Sequence, residues 1–508
     1  LVSPTKNDDE GIPQLQRREK INIMNHPTLR STGMALRYGN RHQQQLLPPS
    51  IEAYVPADAP VRAYDAMIDA LDLAAVGIER AADRVGCPAY DPRAMLKLLV
   101  YGYSYGVRSS RKLERECHYN LAFMWLLGGL KPDHKTIAEF RRRHRAALQR
   151  VIGQCARLCV ELELIEGNVL FVDGTRLRAN AGIAHSWTVA KCQAELAGLD
   201  DRIAALLADC EAVDEAEGGA GSWVRLKAEL ADGQQLRAKV AAALARLETE
   251  GRPSVNTTDG DAARIHSRQG SHAGYNGQIV VDDAHGLIVS SDVVSDNQDS
   301  QQLPVQLAQA EAVLGQPCAV VCADSGYADF EPLGEVPEAE QRVVIPSQRQ
   351  AAGAAVGAFD KSRFAYDAAS DTYCCPMGQV LRCKGVDPKQ NVRNYYAGAV
   401  CRDCPHFGRC TTNAGQGRKI KRRPYEALRT ALERRYEDPA AQAIFARRKA
   451  RVEHPFGHIK RNLHAGYFLL RGLAGVRAEM ALLATCFNIR RLITLWGVAG
   501  VVARMRIE

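Results

Sequence analysis

Residues 277–294, GQIVVDDAHGLIVSSDVV, hold two β-branched runs parted by a turn around Asp283 to Gly286, the pattern of a β-hairpin. A hairpin commits the chain to a sheet, so the question is which other segments join it. Three more runs qualify: NVLFVDGTRLRA from 168, CAVVCADSGYAD at 318–329 and RVVIPS at 342–347. They are short and apolar, as buried strands are. Between the hairpin and CAVVCADSGYAD, SQQLPVQLAQAEAVLG has helical spacing. Strand, hairpin, helix, strand, strand predicts an α/β fold with a mixed sheet.

The flanking sequence is different. Residues 62–165 read as helices: Pro92 opens one, Ser109 and Ser110 are candidate caps for a second, and Thr136 and Glu139 have capping-box spacing in a third, which runs long. Such a series with a basic last member fits either a helix-turn-helix module or a plain bundle. Residues 186–250 predict an acidic helical hairpin inserted after the first strand, and residues 348–440 a Cys-rich, basic insertion. The expected organisation is a disordered leader at 1–33, a helical DNA-binding domain at 34–165, the first part of the core at 166–347, the second insertion, core helices at 441–495 and a tail at 496–508. Met34 is the expected initiator.

The net charge of +8 is unevenly placed. Residues 441–508 carry 12 Lys/Arg against 3 Asp/Glu, residues 101–150 carry 11 against 4, and residues 191–250 reverse the balance with 7 against 12. Separate basic blocks point to a polyanion-binding surface. No uninterrupted apolar run is long enough to predict a membrane span, and the start of the chain has no apolar signal core, so a cytoplasmic, nucleoid-associated protein is expected.

Asp173 and Asp324 each close an apolar run just before a predicted turn, where open α/β sheets present functional groups. Side by side, two carboxylates repel unless a cation joins them, and Mg²⁺ (or Mn²⁺) suits oxygen ligands that leave room for phosphate. A third acid, Glu453, sits in RRKARVEHPFGHIKRN (447–462), where Lys449, Glu453, Phe456 and Lys460 share a helix face. Pro455 is expected to kink that helix.

In this order, VDGTRLRANA, HAGYNGQIVVD, VVCADSGY and RVEHPFGHIKRN resemble insertion-sequence transposases with an RNase H-like catalytic core, in the branch numbered eleven eighty-two. The likeness extends from about Met34 to Leu492. It implies that Asp173, Asp324 and Glu453 are the catalytic, metal-holding acids and that Lys460 is the basic residue seven after the glutamate. It also implies an arginine four before the glutamate and a tyrosine seven before; this chain has Lys449, with Arg448 adjacent, and Ala446. Arg448, Lys449, Lys460 and the run Arg418, Lys419, Lys421, Arg422, Arg423 are the expected DNA contacts.

Six of the fifteen cysteines lie between 374 and 410. Cys401-x-x-Cys404 has the spacing of a zinc knuckle and Cys410 follows within reach. Cys375 is the expected fourth ligand of a structural Zn²⁺, with Cys383 and Cys374 competing. The expected activity is metal-dependent cleavage at transposon ends and strand transfer into double-stranded target DNA, by a homo-oligomer. A non-catalytic DNA-binding regulator on the same core, or a nuclease that cuts without joining, are the alternatives.

Overall fold

The computed structural model describes residues 50–78, 89–215, 220–267, 270–388 and 391–505; the expected leader at 1–33 lies outside them. The hairpin forms from Gly270–Asp282 and Ile288–Val294. Strand Val169–Arg178 lies antiparallel to Gly270–Asp282, in register from Leu170↔Asp282 to Arg178↔Gly274. On its other side Val320–Cys322 and then Val343–Val344 run parallel to it. A short strand, Ala263–Ser267, pairs with the start of Gly270–Asp282. Leu170, Phe171 and Val172, like Ile279, Val280 and Val281, are fully buried, as apolar runs covered on both faces must be.

Strand Val169–Arg178 corrects one expectation. Asp173 does not end it: residues 174–178 keep pairing with 274–278, so the acid stands mid-strand.

The helical layer comprises Pro60–Asp69, Pro92–Ser104, Ser110–Tyr119, Leu121–Leu126, His134–Arg143 and Arg145–Glu161. Asp91 caps the second, as Pro92 at its first turn foretells. The long third helix expected from the sequence is two, and Asp133 starts the first of them, accepting from the Thr136 N–H at 2.6 Å. Helix Leu473–Met505 is broken at Gly497 (φ 68°, ψ 171°). By length and composition alone it is apolar enough to cross a membrane. Its first half is nonetheless core, packed against Arg145–Glu161, Pro60–Asp69 and strand Ile288–Val294. There Asn488 holds both backbone groups of Ile288, accepting from its N–H at 2.9 Å and donating to its carbonyl at 2.8 Å.

Helical layer and C-terminal helix are joined by a buried ion pair. Arg108 meets Glu479 at 2.8 Å with 4% and 0% of the side chains exposed. Arg108 also donates to the carbonyls of His464 and Tyr467, and Glu479 accepts from the N–H groups of Leu469 and Leu470.

Two further units project from this body. Helices Val189–Glu215 and Ala220–Glu250 pack on each other through Cys192, Leu199, Val240, Ala243 and Leu247. Residues 365–422 form an antiparallel five-stranded sheet whose buried apolar residues, among those described, are Phe364, Tyr373, Leu381, Tyr395 and Ile420.

Candidate active site

The parallel register fixes two of the three acids. Its last pair is Phe171↔Cys322, and Asp173 and Asp324 each stand two residues further on. Both lean on the chain just beyond: Asp173 accepts from the Gly174 N–H at 2.9 Å and Asp324 from the Gly326 N–H at 2.8 Å.

One guanidinium faces both carboxylates. Arg448, 15% exposed, places Nη1 3.4 Å from Asp173 and Nη2 3.5 Å from Asp324. Nη1 is buried and makes no hydrogen bond. Burial, with Asp324 and Asp299 adding repulsion, pushes the Asp173 carboxyl up to about 6 although Arg448 pulls it down. The pair is therefore a place that draws a cation.

Arg448 comes from helix Pro439–Gly457, started by Asp438, whose carboxylate accepts from the Ala440 N–H at 2.9 Å. Arg447 and Arg451 anchor the helix on Asp283, at 2.7 and 3.0 Å. Pro455 does not end it; the helix runs to Gly457 and then widens into a π-helical turn, His458–Asn462. Lys460, in that turn, donates to Thr175 Oγ1 at 2.5 Å. Burial lowers its pKa while Asp173 pulls it back up.

Asp173, Asp324 and Glu453 do not form a group that could hold a metal ion as they stand. The Glu453 side chain is 64% exposed and pairs with Lys449 at 4.0 Å. Lys449 and Arg448, both expected to contact DNA, face different ways: the lysine is exposed and the arginine turns inward, because one residue along a helix is a turn of about 100°. Arg448 is therefore engaged with carboxylates rather than open to DNA.

The basic run also divides. Strand Lys419–Arg422 alternates, leaving Lys419 and Lys421 exposed, with Arg423 exposed beyond it. Arg422 stacks on Tyr366 at 3.7 Å, and Arg418 donates to the carbonyls of Cys410 and Phe359, so these two hold the small sheet together.

Cys375, Cys401, Cys404 and Cys410 line one cavity of about 20 Å³, with His406 and Phe359 in its wall. Backbone N–H groups of Gln379 and Arg418 point at the sulfurs of Cys375 and Cys401, at 3.2 and 3.4 Å. Cys374 is exposed and Cys383 bonds back toward Gly385, both off the cavity. Among the described residues, no three His, Cys, Asp or Glu side chains stand close enough to hold a metal ion as they are.

Residues 49–143 match the family described as Transposase domain (DUF772), and residues 374–493 the family described as Transposase DDE domain. The chain is an insertion-sequence DDE transposase. No curated protein and no solved structure matches it. In this transposase the first match takes in the helices from Pro60–Asp69 to His134–Arg143, and the second the Cys-rich sheet from Cys374 on, the helix of Arg448 and Glu453, and most of the C-terminal helix. Asp173 and Asp324 fall between the matches and rest on the sheet geometry above. A DDE transposase acts on DNA and uses a divalent cation such as Mg²⁺.

Sequence reasoning missed Arg447, Arg451 and Asp283, whose pairing sets the helix across the sheet. It also missed Asp299, which stands near Asp173 and binds Arg176, Asn276 and Gln278. Only the polar letters of DNQD and YNGQ, set among apolar strands, hint at them.

Proposed function

We propose that the sheet of Asp173 is an RNase H-like core that cleaves transposon ends and transfers the freed strand into target DNA. The observation that carries this reading is the convergence of Asp173 and Asp324, at equal steps along adjacent parallel strands, on a single cation, Arg448. The strand arrangement supports it: an antiparallel hairpin beside the Asp173 strand and two parallel strands on its other side. The helical pair 189–250 and the Cys-rich unit read as insertions between parts of that core.

Asp173 and Asp324 would hold Mg²⁺ or Mn²⁺, which when bound activates water or a 3′-hydroxyl and steadies the leaving oxygen. Glu453 is the third acid in this reading. It lies on the helix between Arg448, which reaches Asp173, and Lys460, which reaches Thr175, and on the side of Lys460, seven residues on. Its exposure leaves it free to turn toward a cation. Lys449, Lys460, Lys419, Lys421 and Arg423 take phosphate oxygens.

Incubation of the purified chain with DNA carrying the element's ends in Mg²⁺ tests the reading. Cleavage followed by joining is expected. Binding without cleavage would leave a DNA-binding regulator, and cleavage without joining a nuclease. The double change Lys419→Ala, Lys421→Ala should weaken DNA binding alike for end and random sequences. It should also lower the slope of log affinity against log salt by roughly 2. An unchanged slope would remove the strand from the DNA surface.

The Cys-rich sheet takes a structural Zn²⁺ in the same reading. Its five-residue core is too small to hold five strands alone, and four thiols gather on one cavity beneath two inward N–H groups. Binding would draw Cys375, Cys401, Cys404 and Cys410 inward. One zinc per chain is expected in freshly purified, reduced protein, and chelation should speed amide exchange across 365–422 while sparing strand Gly270–Asp282. Metal-free protein with unchanged exchange would dismiss the zinc.

A further inference from the structure

Asn276 and Gln278 are fully buried and Tyr327 is 1% exposed, yet none has a part in the chemistry above. On strand Gly270–Asp282, Gln278 lies opposite Gly174 and Asn276 opposite Arg176. Gly174 leaves the space they use: a Cβ there would stand 2.4 Å from Gln278 Nε2 and 2.6 Å from Asp299 Oδ1. Through that gap Gln278 donates to Asp299 at 2.8 Å, and its carbonyl accepts from the Tyr327 hydroxyl at 2.5 Å. Asp299 also accepts from Asn276 at 2.7 Å and from Arg176 at 3.1 Å.

The bonds form a brace. Tyr327 stands three residues after Asp324, and Arg176 three after Asp173, so Tyr327–Gln278–Asp299–Arg176 ties the loop of one acid to the strand of the other. Asp299 is occupied by three donors and serves as a holder. An apolar strand would pack here without any of these bonds, so sheet stability does not call for a buried amide. Two carboxylates that repel do call for a fixed frame if a cation is to find them already spaced.

We propose that Gln278 is a positioning residue: by bridging Tyr327 and Asp299 it sets the spacing of Asp173 and Asp324, and with it the affinity for divalent cation. This rests on the reading of the two aspartates as cation holders.

The test is Mn²⁺ binding to the full chain without DNA, by calorimetry, for the parent, Gln278→Met, Tyr327→Phe and Asp173→Asn, with melting temperatures alongside. Gln278→Met should weaken Mn²⁺ binding by about tenfold or more, and Tyr327→Phe by a smaller factor in the same direction. Tyr327→Phe removes one hydroxyl and should melt close to the parent, so it carries the test if Gln278→Met fails to fold. Parent-like Mn²⁺ affinity in Tyr327→Phe and in any folded Gln278→Met overturns the positioning role alone. Parent protein that binds no Mn²⁺, or Asp173→Asn that binds it as tightly as the parent, takes down the aspartate reading and this inference together.

Discussion

Replacing Asp173 by Asn should lower the rate of end cleavage by more than about a hundredfold, while DNA affinity stays within about threefold. The side chain keeps its shape and loses a charge. In the proposed reading cleavage depends on that charge, which helps to hold the cation, whereas DNA affinity comes from Lys and Arg reaching phosphates. Asp324→Asn should behave alike, since each acid stands two residues beyond the same register pair. The double variant should be little worse than either single one, as groups acting as a unit are not additive. Gel assays of cleavage and binding on one DNA separate the two quantities. Cleavage by Asp173→Asn at the parent's rate in Mg²⁺ would end the metal-site reading.

Glu479→Ala should destabilise the chain by about 3–5 kcal/mol, because it strands the Arg108 guanidinium in the core. It also deprives the N–H groups of Leu469 and Leu470 of their acceptor. Glu479→Gln keeps an acceptor for them and should lose less, roughly 1–3 kcal/mol. Replacing both charges, Arg108→Met with Glu479→Leu, should recover the part of the loss that comes from the stranded charge, while the N–H groups of Leu469 and Leu470 stay without their acceptor. The exposed pair of Arg142 and Glu139 is the control, and Glu139→Ala should leave stability essentially unchanged. Denaturant melts of the variants measure this. A Glu479→Ala chain with the parent's midpoint would show that the pair does not hold the helical layer in place.

The hairpin, the neighbouring apolar runs and the grouping of Cys375, Cys401, Cys404 and Cys410 were legible because each depends on local pattern: β-branched runs, strand length, short ligand spacing. The inward arginine was not. Arg448 and Lys449 are neighbours in a basic run, and only the register of the helix on the sheet decides which one meets the aspartates. Arg418 and Arg422 read as DNA contacts for the same reason, since a run of cations does not say which side chains a small sheet will use on its own carbonyls and rings. Asn276 and Gln278 were hidden differently. A polar residue in a strand reads as facing water, and the partners that make burial tolerable, Asp299 and Tyr327, come from distant loops. That Glu453 stands exposed beside Lys449 was equally beyond local pattern.

Arg108 waits 371 residues for its carboxylate. During synthesis the helices of that layer emerge with the guanidinium unpaired, and the surface they pack on, the first half of Leu473–Met505, leaves the ribosome long after them. Arg448 is equally late, so the two aspartates emerge long before the cation that faces them. A gene copy truncated by a stop codon before Glu479 would thus yield a chain with neither its helical layer fastened nor its core complete. Such fragments would be substrates for proteases rather than partial enzymes, and decayed copies of the element would contribute little protein able to interfere with an intact one.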